Sequence, residues 1–150
     1  MCSSDLVQAF ASNTRNCCRV WTVRGEAEPW ASARGRLGVL EPQGYTRIGP
    51  ALRHATATLE AISADRKLLL LISDGKPNDY DRYEGRYGIG DVRMVLREAQ
   101  QRGIHTHALA VDAVARDYLP SMLGPGAWSV LLTPDRLPES LTGVYGRLTA

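Results

Sequence analysis

At 150 residues with a formal net charge of +2, the chain is long enough to bury one sizeable core and too weakly basic to argue for nucleic acid or an anionic membrane surface. Its 44% hydrophobic and 23% charged content is that of an ordinary globular domain, and no apolar run approaches the ~18–20 residues of a membrane span, so direct membrane insertion is not expected. Cys2, Cys17 and Cys18 lack C-x-x-C spacing, and the last two are neighbours whose bridge would be strained. Reduced thiols in a cytoplasmic protein are the expectation, not a zinc site.

Residues 5–12 read as the last turns of a helix, with Leu6, Ala9 and Phe10 on one face, and residues 19–23 as a short strand. The stretch 24–44 is rich in glycine and reads as irregular, with one helix around 30–40. Residues 48–62 carry apolar side chains at helical spacing, from Ile48 through Leu52 and Ala55 to Leu59. The run 68–72, Leu-Leu-Leu-Leu-Ile, has strand length and no polar face, as in a strand covered on both sides. Residues 91–102 return to helical spacing and end at Gly103, where a helix C-terminal glycine belongs. Strand 104–111, short helix 118–123, strand 128–132 and a closing helix 137–148 follow, the last opened by Thr133-Pro134-Asp135. This alternation predicts an α/β fold, a doubly wound and mostly parallel sheet with helices on both faces, whose ligands gather where the strands end.

Asp74 and Asp112 each close one of these strands, which places both at one rim. Thr46, in Gly44-Tyr45-Thr46-Arg47-Ile48-Gly49, precedes a helix and reads either as its N-cap or as a second rim group. A hydroxyl and a carboxylate, without nitrogen or sulfur, suit Mg²⁺, but two ligands are too few for its octahedral shell. The loop from Lys76 to Gly90 is crowded with acids, tyrosines and arginines. Asp79, Asp81, Glu84 and Asp91 lack EF-hand spacing, and Gly85 to Gly90 is not a dinucleotide fingerprint, so a polar recognition loop is the expectation. His105 and His107 share one strand face and read as packing or surface groups. Asp117-Tyr118-Leu119-Pro120 reads as a helix start.

"GYTRIGPALRHATATL", "LLLLISDGKPNDYDRYEGRYGIGDVRMVLREAQQRGI" and "DYLPSMLGPGAWSVL" closely resemble the C-terminal von Willebrand factor type A domain of NorD-type nitric oxide reductase activation proteins. The domain of CbbO-type rubisco activation proteins is the nearest rival. The resemblance implies a Rossmann-like sheet with a metal-ion-dependent adhesion site (MIDAS) at its rim, to which Thr46 and Asp74 contribute. A partner's carboxylate completes the ion's shell, so the domain needs no enzymatic activity. It further implies a denitrification accessory factor working with a MoxR-type AAA+ ATPase on the nitric oxide reductase complex. Lys76, Asp79, Tyr80, Asp81, Tyr83, Arg86 and Tyr87 would form the partner-binding surface. A reading from another class makes Asp74 a phosphoacceptor or phosphoryl-transfer carboxylate on a receiver-like or phosphatase-like sheet; a purely structural role is the third.

One departure stands out. The family's DxSxS motif, carried on a first strand in the middle of the sheet, is not found in this sequence. The expectation is a truncated domain over 7–150, with that central strand and the next antiparallel edge strand missing and Mg²⁺ bound weakly. Residues 1–6, "MCSSDL", are what a common sequencing-adapter end encodes from a GTG start, and so read as a non-native leader.

Overall fold

The leucine run becomes a strand because both of its faces are covered. In the computed structural model, which describes residues 5–149, it forms β3 (Lys67–Ser73). Leu69 and Leu71 enter one apolar cluster, Leu68 and Leu70 the other. Strand β3 pairs in parallel with β4 (Ile104–Ala110), and β4 pairs in parallel with β5 (Trp128–Val130), in the spatial order β3-β4-β5.

Helices α2 (Ile48–Ala61), α3 (Gly85–Gln101) and α4 (Ala115–Leu123) pack on one face. Their contribution to the larger cluster includes Ile48, Leu52, Val92, Val95, Leu96, Leu119 and Met122. One turn of 3-10 helix, Pro134–Arg136, leads into α5 (Leu137–Thr149), which places Leu137, Leu141 and Val144 against Leu68, Leu70, Leu109 and Leu131 on the opposite face. The doubly wound α/β architecture is thus present. Among the described residues, no helix is long and apolar enough to cross a membrane.

The amino-terminal part corrects the sequence reading. Residues 7–12 form a strand, β1 (Val7–Ser12), which pairs antiparallel with β2 (Cys18–Arg24). Cross-strand pairing with β2 supplies what the local sequence does not, and no helix forms at residues 5–12. The antiparallel partner of residues 18–24 thus precedes them in sequence, and no further strand forms between Arg24 and Ile48. Helix α1 (Trp30–Gly38) follows, tied to β2 by Arg36 Nε, which donates to the Val23 carbonyl at 2.7 Å.

Strands β1 and β2 form a sheet of their own. Among the described residues the edge of β3 away from β4 has no strand partner, as expected where a central strand is absent. Residues 1–4, which include most of the expected leader and all of "CSSD" but Asp5, lie outside the described residues. Cys17 and Cys18 are free and exposed at the β1–β2 turn.

Candidate functional site

Three loops are stitched together beside the carboxyl end of β3. Ser12, at the end of β1, and Tyr45 exchange main-chain hydrogen bonds of 2.9 and 2.8 Å. Thr46 and Asn78 do the same at 3.1 Å in each direction, and the Asn78 side-chain oxygen also accepts from the Thr46 N–H. Gly44 permits the first crossing: its φ is +58° and a Cβ there would overlap the Ser12 carbonyl. Gly49 permits the next, since its Cβ would overlap the Asp91 carboxylate and lie 2.6 Å from the Tyr83 hydroxyl.

Between these glycines sits Arg47, buried at 6% exposure. Its Nε donates to Asp79 Oδ2 at 2.9 Å, a second guanidinium nitrogen donates to Asp81, and the guanidinium carbon lies 4.3 Å from the centre of the Tyr83 ring. Asp79 also accepts from the Thr14 and Tyr80 N–H groups, both at 2.7 Å. Burial alone pushes the Asp79 pKa up, but hydrogen bonds from Ser12, Thr14, Arg47 and Tyr80 outweigh it and hold the carboxyl below its ordinary value. For Arg47, burial works against the charge and the two aspartates overcome it, so its pKa is raised. The Tyr83 hydroxyl donates to Asp91 and accepts from the Gly49 N–H at 3.1 Å. Burial, then the Asp91 bond, push its pKa far up. Arg53 closes the chain of contacts, 2.7 Å from Asp91.

Asp74 is exposed and directly follows β3, on the loop that carries Asn78, so Thr46 and Asp74 belong to two segments locked together by one main-chain pair. Helix α2 begins with no side-chain cap, so Thr46 is not its capping group. Asp112 shares the rim: the Tyr118 hydroxyl has its pKa raised by burial and then by the charges of Asp112 and Asp74. Among the described residues, no three His, Cys, Asp or Glu side chains converge as a metal-binding group. The oxygens of Thr46 and Asp74 fit Mg²⁺ in kind and fall short of a complete shell in number.

The expected contact surface divides in two. Tyr83, 1% exposed, and Asp79 are buried with Arg47 and are not a surface, contrary to their expected role in partner binding. Lys76, Tyr80, Asp81, Arg86 and Tyr87 are exposed. The Tyr80 ring lies 6.5 Å from Tyr45, the Tyr87 ring 5.5 Å edge-on to Tyr83, and the Lys76 ammonium 5.5 Å from the Tyr118 ring. Arg47 went unnoticed in the sequence, where Lys76, Arg82 and Arg86 lie closer to the two aspartates and nothing local singles out a partner 32 and 34 residues away.

His107 is buried with its Nε2 3.0 Å from Ser129 Oγ, whereas His105 is exposed. Asp117 lies in the first turn of α4 and does not cap it.

Parallel strands ending at such a rim define a class. Residues 25–130 match the von Willebrand factor type A domain, and the chain belongs to that family. The particular proteins it resembles include NorD. It is 39% identical over 143 residues to protein NorD of Brucella melitensis, covering 95% of this chain and 23% of that one. Identity to protein NorD of Stutzerimonas stutzeri is 41% over 128 residues, covering 85% and 21%. An uncharacterised protein of Pseudomonas aeruginosa is 46% identical over 115 residues, covering 77% and 19%. The chain thus spans between 19% and 23% of the length of these curated relatives. No solved structure matches it.

Proposed function

We propose that this domain is the metal-dependent docking module of an accessory protein that activates nitric oxide reductase, acting in the cytoplasm with a MoxR-type AAA+ ATPase and breaking no bonds itself. The reading rests on similarity to NorD and on one structural observation. A threonine that does not cap its helix is fastened, through Asn78, to the loop that Asp74 opens. Thr46 and Asp74 would hold Mg²⁺ together with water, and the bound ion would offer an open position to an acidic side chain of the partner. Around it, Tyr80, Tyr87 and Arg86 provide the tyrosine and arginine side chains favoured at binding hot spots, with Lys76 and Asp81 exposed beside them.

The test is binding of the chain to its MoxR-type ATPase, followed by surface plasmon resonance in excess magnesium and again in EDTA. Binding should require magnesium and be lost in both Asp74→Ala and Thr46→Val. Undiminished binding in EDTA would overturn metal-dependent docking, and magnesium-dependent binding that survives Asp74→Ala would overturn the site.

A further inference from the structure

A second concave site lies between β5, α5 and the start of α4, and none of the residues that line it belongs to the Thr46–Asp74 rim. It is a half-open cavity of about 330 Å³ whose polar lining is Arg116, Ser129, Arg136, Glu139, Ser140 and Arg147. Three arginines and one carboxylate line it. None of the three is in an ion pair among the described residues, whereas Arg47, Arg53 and Arg102 each hold an acid. Like charges around one concavity repel, and an anion between them turns that repulsion into attraction.

The chemistry of the wall narrows the ligand. Arginine forks match the oxygens of phosphate, and serine hydroxyls supply neutral donors beside them. Ser129 Oγ is held at 3.0 Å by the buried His107, so this donor is positioned from behind. Burial, followed by the charge of Arg147, lowers the His107 pKa and keeps the ring neutral near pH 7. A volume of about 330 Å³ sits at the small end of ligand pockets, roughly 300–1,000 Å³, and exceeds the needs of a bare ion. Glu139 would repel a second phosphate and accept a hydrogen bond from a ligand hydroxyl. We propose that this cavity binds a phosphorylated small molecule bearing a hydroxyl, its phosphate among Arg116, Arg136 and Arg147 and its hydroxyl on Glu139.

Glycerol 3-phosphate titrated into the isotopically labelled chain at physiological salt tests this by NMR. Saturable shifts are expected at the Ser129, Ser140 and Gly143 amides, with the His107 ring pKa rising on saturation as the anion offsets Arg147. Arg136→Gln and Arg147→Gln, both at exposed positions, should each weaken binding by about tenfold or more. Arg19→Gln, removing a cation on β2, should leave it unchanged. Shifts that stay linear with concentration, or equal weakening by Arg19→Gln, would overturn the proposal.

Discussion

Thr46 and Asn78 exchange both of their main-chain hydrogen bonds, so the threonine loop and the loop behind Asp74 form one unit although the two residues are 32 positions apart in sequence. The geometry separates the threonine's backbone, which is structural, from its hydroxyl, which caps no helix. Thr46→Val should therefore change stability by no more than about 0.5 kcal/mol in urea unfolding. Loss of an N-cap threonine would cost about 1 kcal/mol. A loss of that size would return the hydroxyl to a capping role and remove it from the candidate metal site.

Arg47 and Asp79 are the buried charges on which the same junction depends. Removing one partner of a buried pair leaves the other uncompensated, so Asp79→Ala should cost about 3–5 kcal/mol. Asp79→Asn keeps the acceptor oxygen and should cost less. The pH dependence follows from the depressed pKa of Asp79. A carboxyl held below its unfolded value of about 3.9 contributes stability above that pH and loses it as pH falls toward the folded pKa. Urea melts from pH 5 down to pH 2 should show wild-type stability falling faster than that of Asp79→Asn.

Much of this fold is legible in the sequence, and the exceptions have identifiable causes. Helix α2 and strand β3 announce themselves because their periodicities, 3.6 residues and an unbroken apolar run, are local properties. The stretch Val7–Ser12 misled because its two alanines suit a helix, while its state is set by pairing with Cys18–Arg24. Helix α3 begins at Gly85, six residues before residue 91, and the poor helix formers Gly85, Gly88 and Gly90 disguise that start; Gly88 serves close packing, since a Cβ there would lie 3.1 Å from Pro77 and 3.3 Å from the Tyr83 carbonyl. Within the site, Asp74 could be placed from its position after a strand. Arg47 could not, since its partners are 32 and 34 residues away and only the folded chain brings them together.

Tyr83 and Gly49 make a second test of the junction. Tyr83→Phe removes the acceptor of the Gly49 N–H and the donor to Asp91, which should cost about 1–3 kcal/mol. Its raised pKa means the neutral phenol is favoured in the folded state. That contribution is complete below the unfolded value of about 10 and is lost as pH rises above it. Wild type should accordingly lose stability above pH 10 more steeply than Tyr83→Phe. Gly49→Ala forces a methyl group into the Asp91 carboxylate and should cost about 3 kcal/mol, read as a lowered thermal midpoint.

The open edge of β3 makes a prediction at the level of single amides. Val111 N–H donates to the Ser73 carbonyl at 3.0 Å, which fixes the odd-numbered residues of β3 as those facing β4. In a strand, the N–H and C=O of one residue point the same way and alternate along the chain. The amides of Leu69 and Leu71 are therefore bonded to β4, while those of Leu68, Leu70 and Ile72 point to the edge with no strand partner among the described residues. Hydrogen exchange followed by NMR should show slow exchange at 69 and 71 and fast exchange at 68, 70 and 72. Uniform slow exchange along β3 would mean that a further strand covers this edge in solution. A supplied peptide that pairs there should slow the even-numbered amides and leave the odd ones as they were, because only the former have bonds left to make.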